Sequence, residues 1–287
     1  MPANALRRRA RPLSLERSVR LLACDFSVVA DCEEMLGVLD RLVQHAAQRY
    51  PVSRRHHFEA LRTDGGYRLR EDGRELDPRS DARSAAEFLF WRMHDLALDA
   101  LPEFTKIHAG CANWRGKRLV VAGPGRSGKT TLMTRLLYEG FAVHCDDIVL
   151  LRHGDVLPYP RRFWVRLQAV PLLPQIAPLA AGVPETEEHV ALDPSVLGFA
   201  WQIDPAPADA VFFLEPNHGG ATRLEVCPKV SMAERIMSQS NLPAAGAREW
   251  VKDICGLVEH AACFVLRSGD LDTGSAAVKD ALWPGRR

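Results

Sequence analysis

The feature that most constrains this fold is an apolar segment that runs into a glycine-rich loop and then into a helical pattern. Residues 119–122 are all apolar, and after the loop apolar residues recur at helical spacing. Between them, residues 123–130 match every fixed position of G-x-x-x-x-G-K-[ST]. The backbone N–H groups of such a loop can surround a phosphate, and the following helix directs its positive dipole end toward the same point. The segment therefore predicts a phosphate-binding loop between a strand and a helix.

Two side chains of this loop have predicted chemical roles. Lys129 would reach the β- and γ-phosphates of a nucleoside triphosphate, and the Thr130 hydroxyl would bind Mg²⁺. Without a ligand, we expect Lys129 to face solvent. The predicted nucleotide-binding residues are Gly123, Pro124, Gly125, Arg126, Ser127, Gly128, Lys129, Thr130 and Thr131.

The same glycines allow two other interpretations. Gly123, Gly125 and Gly128 also satisfy G-x-G-x-x-G, and Asp146 follows at about the distance of the ribose-binding acid in a dinucleotide fold. A dinucleotide loop has no use for a lysine, however, because the helix N-terminus alone neutralises the pyrophosphate. The other alternative is a glycine-rich turn without a ligand. The lysine and the flanking strand and helix favour the nucleotide site over both.

A pair of acidic residues, Asp146 and Asp147, ends the strand predicted after the helix. An acidic side chain at the carboxyl end of a strand can hold Mg²⁺ beside a phosphate loop. Of two adjacent carboxylates, one can serve the metal while the other accepts a proton from an attacking hydroxyl. The alternative is a polar turn without a chemical role.

Composition excludes several classes of protein. The 287 residues are 47% hydrophobic and 25% charged, and the net charge of +1 gives no global field that would favour nucleic acid or acidic membranes. No apolar run approaches the roughly 20 residues of a membrane span. Six arginines lie among the first twenty residues without a following apolar signal core, which predicts a solvated tail or an arm that contacts a peptide or nucleic acid. We expect no nucleic-acid or membrane partner, and a homo-oligomer is compatible with this composition.

The cysteines favour a cytoplasmic protein. Their number is odd, no two form C-x-x-C, and they are scattered through apolar segments, so we expect reduced, buried thiols rather than disulfides or a zinc site. They are Cys24, Cys32, Cys111, Cys145, Cys227, Cys255 and Cys263.

The predicted elements divide the chain into three parts. Residues 1–17 form the basic tail, 18–103 an N-terminal α/β region, and 104–287 a catalytic domain. The N-terminal region is predicted to contain a strand pair over 18–30, a helix over 31–48, strands near 58–61 and 67–69, and a helix over 83–99. In the third part, residues 210–214 and 223–226 are predicted to form a strand pair. The proline-rich residues 171–207 are typical of a lid or substrate loop, and also of packed coil.

The third part resembles the catalytic core of the HPr serine kinase/phosphorylase family. The resemblance is carried by Ile107-His108-Ala109-Gly110, by residues 121–131 and by residues 139–147, which end in the Asp pair. In that family a histidine–glycine-type segment precedes the loop, and an Asp-Asp pair ends the strand after the loop's helix. Phosphoenolpyruvate carboxykinases share the arrangement more distantly. The match is closest to divergent HPr-kinase-related proteins that accompany peptide-modifying gene clusters, such as lasso-peptide kinases. It covers about residues 104–166, with a weaker family-like ending at 264–271.

The resemblance implies a fold, cofactors and roles. It implies an α/β P-loop kinase core of the HPr kinase/phosphoenolpyruvate carboxykinase type, a mixed sheet with flanking helices, preceded by a small α/β region. ATP and Mg²⁺ would be the cofactors. Asp146 would be the general base, Asp147 and Thr130 would bind Mg²⁺, and His108 would lie near the phosphate that is transferred.

The chain also departs from this family. Thr130-Thr131 stands where the bifunctional enzymes have Ser-Glu, and their later glycine-rich segment associated with phosphorolysis is not recognisable here. We therefore expect a one-way kinase that acts on a serine-like hydroxyl of a peptide or protein. A sugar or alcohol kinase with the same core, and a nucleotide-sensing module without catalysis, are the alternatives. One of Arg161, Arg162 and Arg166 could contact phosphate or an acidic acceptor; a solvated basic face is the other interpretation of this cluster.

Overall fold

The computed structural model describes residues 15–43, 46–48, 50–184, 187–198 and 201–283. The protein is a mixed α/β structure with several sheets and flanking helices. The strands are β1 (Leu15–Leu21), β2 (Cys24–Ala30), β3 (Ala47–Gln48), β4 (Arg54–Thr63), β5 (Gly66–Glu71), β6 (Arg74–Arg79), β7 (Thr105–Trp114), β8 (Lys117–Ala122), β9 (Ala142–Cys145), β10 (Ile148–Arg152), β11 (Asp155–Pro158), β12 (Phe163–Arg166), β13 (His189–Leu192), β14 (Gln202–Ile203), β15 (Ala206–Pro207), β16 (Ala210–Pro216), β17 (Arg223–Val226), β18 (Ser240–Asn241) and β19 (Ala262–Ser268). The α-helices are α1 (Glu33–Leu42), α2 (Ala82–Asp99), α3 (Lys129–Tyr138), α4 (Ala177–Ala180), α5 (Lys229–Met237), α6 (Ala247–His260) and α7 (Leu271–Leu282). Three 3₁₀ turns occupy Leu167–Leu172, Pro174–Ile176 and Pro194–Leu197.

The internal contacts divide the chain into two units. The first contains the described residues up to Val43 together with Val52–Ala97. The second contains the described residues between Val43 and Val52, and those from Leu98 onward. Of the tail predicted for residues 1–17, residues 1–14 lie outside the described residues, and the other three belong to β1.

The first unit is built on a five-stranded sheet in the order β1-β2-β4-β5-β6. β2 and β4, which have α1 and β3 between them in the chain, are parallel, and the other neighbours are antiparallel. Along β2, buried Phe26 and Val28 alternate with half-buried side chains, as expected for a strand with one face in the core. The helix predicted over 31–48 is shorter than expected, because the backbone becomes extended at Val43. β6 was not predicted, since its side chains are exposed or half-buried and lack an apolar alternation.

The second unit contains a ten-stranded sheet whose main order is β15-β11-β10-β7-β8-β16-β19-β17. β8, β16 and β19 are parallel neighbours, whereas β7 is antiparallel to β8. The prediction that residues 210–214 and 223–226 pair with each other is wrong: β19 lies between β16 and β17 and pairs with both. A turn-like sequence between two strands does not reveal that a third strand, far along the chain, separates them.

Helices cover both faces of this sheet. On one face, Leu136 of α3 and Val278 of α7 belong to one buried cluster. On the other, Met232 of α5 and Ile254 of α6 belong to a second cluster. Burying each such side chain stabilises the unit by about 2 kcal/mol. α3 ends where the sequence predicts, because Gly140 adopts the left-handed conformation (φ +93°) that follows a helix C-terminus.

Two further predictions from the sequence concern membrane-spanning segments and the state of the cysteines. Within the described ranges, we find no helix that combines the length and apolar character needed to cross a membrane. All seven cysteines are described as free thiols, and five of them are buried. The expectation of burial is wrong for Cys255, which is exposed on α6, and for Cys32, which is half-buried.

Candidate active site

The predicted phosphate loop begins where β8 ends. β8 pairs with β7 on one side and β16 on the other, and residues 119–122 are completely buried. Gly123 has a φ of +157°, and a Cβ placed on it would lie 2.5 Å from the carbonyl oxygen of Leu214. Gly128, with a φ of +94°, turns the chain into α3. Backbone geometry thus requires glycine at two fixed positions of the loop pattern.

Lys129 lies at the first turn of α3 and folds back onto the loop. Its Nζ donates hydrogen bonds to the carbonyl oxygens of Gly123 at 2.7 Å and Pro124 at 3.0 Å. The residue is only 5% exposed, so the expectation that it faces solvent is wrong. The curled loop presents its own carbonyl oxygens to the ammonium. Burial lowers the pKa of Lys129 to about 8, although the nearby Asp147 and Asp146 act in the opposite direction.

The Asp pair lies at the same edge of the sheet as the loop. The residues of β7 that pair with β9 also pair with β8, so β8 and β9 lie on opposite sides of β7. Both are antiparallel to β7, and their carboxyl ends therefore point the same way. One intervening strand separates them by about 10 Å. The chain between β9 and β10 stays attached to β7, because the N–H of Ala109 donates to the carbonyl oxygen of Asp147 at 3.0 Å.

Asp146 is a buried carboxylate beside the first turn of α3. It is 3% exposed, and it accepts a hydrogen bond from the side chain of Thr130. Its Oδ1 is buried and has no hydrogen-bond partner among the described residues. Burial raises the pKa of Asp146 to about 6, with a further rise from Asp147, against the opposing effects of Arg161 and Thr130. A buried carboxylate oxygen without a donor is costly, and a cation or a hydroxyl proton would satisfy it.

Asp147 has the opposite electrostatic environment. His108 Nε2 lies 2.9 Å from its Oδ1, and Nη2 of Arg161 donates to its Oδ2 at 2.6 Å. Burial alone would raise the pKa of Asp147, but the hydrogen bond from His108 and the charge of Arg161 hold it below its ordinary value. The pKa of Asp146 is therefore raised and that of Asp147 is lowered. Neighbouring carboxylates with different pKa values are common at sites of acid–base chemistry.

An open cavity of about 590 Å³ joins the loop and the Asp pair. This is a typical volume for a small-molecule site. Of the predicted site residues, those that line it are His108, Gly125, Arg126, Gly128, Lys129, Thr130, Thr131, Asp146 and Asp147. Gly123, Pro124 and Ser127 do not line it; the first two accept hydrogen bonds from Lys129, and Ser127 is buried under the loop.

The three arginines of the cluster after β11 have different surroundings. Arg161 pairs with Asp147, Arg162 lies 3.8 Å from a carboxylate oxygen of Asp193, and Arg166 lines the cavity. One further wall of the cavity consists of Trp164, Gln168, Ala169, Leu172 and His189, together with His218 after β16. These side chains are not singled out by the sequence, although Leu172 and His189 lie in the segment 171–207, which is predicted to be a lid, a substrate loop or packed coil. No sequence pattern singles out Trp164, because residues 163–165 are all apolar, and His189 is brought to this wall by the pairing of β13 with β12.

No protein-family model matches the sequence, and no curated protein matches it. Among solved structures, the chain is similar to that of the Hpr(Ser) kinase/phosphatase from Coxiella burnetii, with a TM-score of 0.32 and 9% sequence identity. The match covers 62% of this chain and 95% of that chain.

Proposed function

We propose that this protein is an ATP-dependent kinase with a P-loop core of the HPr kinase/phosphoenolpyruvate carboxykinase type. It transfers the γ-phosphoryl group to a serine-like hydroxyl of a peptide or protein. The observation that carries the proposal is one cavity that gathers a lysine-containing phosphate loop, a helix N-terminus and two carboxylates of divergent pKa.

The triphosphate would bind at the loop. The first N–H groups of α3 have no partner within the helix, so they can donate to phosphate oxygens. Lys129 is already at this point, and it exchanges its bonds to two loop carbonyls for bonds to the β- and γ-phosphates. Because Lys129 is already buried, bonds to phosphate require little further desolvation of its ammonium.

The donor set fits Mg²⁺, which prefers oxygen ligands. The Thr130 hydroxyl and the Asp147 carboxylate would hold it, and the buried, unpartnered Oδ1 of Asp146 adds negative charge nearby. When bound, Mg²⁺·ATP supplies the phosphoryl group and offsets the charge that develops on it. Asp147 stays ionised because His108 and Arg161 lower its pKa, as a metal ligand must.

Asp146 would act as the general base. A carboxylate with a pKa of about 6 is mostly ionised at neutral pH, yet it accepts a proton more readily than an ordinary aspartate. It would take the proton of the acceptor hydroxyl as the phosphoryl group is transferred. His108 would help to orient Asp147 and lie close to the phosphate, since its Nε2 contacts that carboxylate and its ring lines the cavity.

The test is label transfer from γ-labelled ATP to candidate peptides and, separately, to simple sugars and alcohols. Lys129→Ala should abolish transfer and weaken nucleotide binding, whereas Lys252→Ala, an exposed lysine on α6, should leave both unchanged. Because Lys129 is buried, thermal unfolding of both variants checks that they fold. Unchanged transfer by a folded Lys129→Ala protein contradicts the proposal. Label on alcohols but never on peptides favours a small-molecule kinase, and tight binding with no transfer favours a nucleotide sensor.

A further inference from the structure

We propose that the β12–β13 ribbon binds the acceptor, and that Arg166 selects peptides with a carboxylate side chain a few residues from the reactive hydroxyl. This inference rests on the proposed kinase function. It assigns a binding surface and a class of peptide to the part of the cavity lined by Trp164, Arg166, Leu172 and His189.

The ribbon presents one face to the core and the other to the cavity. On β12, Phe163 and Val165 are buried in the core, so the intervening Trp164 and the last residue, Arg166, face the opposite way. On β13, Val190 and Leu192 are likewise buried in the same core. This alternation exposes a continuous strip of side chains that the core does not use.

The side chains of this strip form one recognition surface. His189 lies directly opposite Arg166 in the strand register, and its ring meets that of Trp164 edge-on with centroids 6.5 Å apart. All three residues line the cavity. Leu172, in the 3₁₀ turn after β12, also lines it and is 58% exposed. An indole, an imidazole and a leucine side chain offer contact area for a peptide, with a guanidinium beside them.

The arginines that line the cavity are Arg126, which belongs to the phosphate loop, Arg161 and Arg166. Asp146 and Asp147 are the carboxylates that line the cavity, and both lie at its phosphate end. Arg161 is paired with Asp147. Arg166, by contrast, has no carboxylate within ion-pair distance among the described residues. A guanidinium that becomes desolvated under a bound peptide favours a carboxylate, because the two groups can form paired hydrogen bonds.

The position of Arg166 on β12 sets its distance from the Asp pair. Four of the residues from Arg161 to Arg166 belong to β12, and an extended chain advances about 3.3 Å per residue. Arg166 therefore lies roughly 10–15 Å along the chain from Arg161, the partner of Asp147. An acceptor peptide in extended conformation advances by the same step, so this distance corresponds to roughly three to five residues between the hydroxyl and the carboxylate.

The experiment compares synthetic peptides that share one serine and differ at positions roughly three to five residues away, where they carry Glu, Gln or Lys. The quantity measured is the ratio of kcat/KM for the Glu peptide to that for the Gln peptide. We expect a ratio of about 10 for the unmodified protein, equivalent to about 1.4 kcal/mol. Arg166→Ala should bring the ratio close to one, and Arg166→Glu should favour the Lys peptide. Arg223→Ala, an exposed arginine on the edge strand β17, is the control and should keep the ratio.

Nucleotide affinity, measured with a fluorescent ATP analogue, separates the outcomes. Unchanged affinity in Arg166→Ala, together with the lost ratio, supports the acceptor site. Weakened nucleotide binding with an unchanged ratio assigns Arg166 to the nucleotide and overturns the inference. Equal kcat/KM for the Glu and Gln peptides in the unmodified protein overturns it as well, while the kinase function stands. Transfer to alcohols alone overturns both.

Discussion

Replacement of Asp146 by asparagine should stabilise the folded protein at neutral pH while it removes the proposed base. Burial raises the pKa of Asp146 from its ordinary 3.8 to about 6, so the folded state holds this proton more tightly than the unfolded state does. The protonated carboxyl favours folding below pH 4, and this contribution is lost as the pH rises through about 6. A tenfold change in proton binding corresponds to 1.36 kcal/mol, so the loss is about 3 kcal/mol. Asparagine keeps the shape and carries no charge.

The assay is urea unfolding of both proteins between pH 4 and pH 8. Near pH 4, the free energies of unfolding should be about equal. At pH 7, the Asp146→Asn protein should be more stable by about 1–3 kcal/mol, since its amide oxygen can still accept the hydrogen bond from Thr130. Asp155→Asn, at an exposed position of β11, controls for the loss of one negative charge. Equal or lower stability of Asp146→Asn at pH 7, or a gain that grows toward acid pH, would refute this reasoning.

Two further outcomes are expected. Asp147→Asn should raise the Mg²⁺ concentration required for half-maximal phosphoryl transfer, which a metal titration at fixed ATP measures; an unchanged requirement contradicts its role as a ligand. Asp253→Ala should destabilise the second unit by about 2–4 kcal/mol in urea unfolding, because its buried carboxylate accepts from the Thr105 hydroxyl at 2.9 Å and the His153 N–H at 2.8 Å. A loss below about 1 kcal/mol, or no smaller loss for Asp253→Asn, contradicts that account.

The parts of the site that are local in sequence could be predicted. The loop pattern places Gly123, Gly128 and Lys129 on one strand–loop–helix segment, and the two aspartates directly follow the next strand, β9. Short-range pattern is sufficient there, because glycine conformation, helix initiation and strand alternation depend on neighbouring residues. The expected catalytic functions of these residues stay predictions.

The parts that depend on pairing between distant segments could not be predicted. β13 joins β12 after more than twenty intervening residues, so the cavity wall that contains His189 has no continuous signal in the sequence. β19 lies between β16 and β17. The local sequence pattern of these strands does not reveal this order, because other strand orders would have the same pattern. The burial of Lys129 depends on carbonyl oxygens that only the folded loop brings within reach of its Nζ.

The measurement that tests the central claim most directly is mass-spectrometric detection of a phosphorylated serine peptide, with nucleotide affinity measured on the same samples. The unmodified protein with Mg²⁺·ATP should form the phosphopeptide. Asp146→Asn should bind ATP with nearly the same affinity and turn over about 10²–10⁴ times more slowly. Nucleotide binding without any phosphorylated acceptor across a broad panel, or normal turnover by Asp146→Asn, would contradict the account.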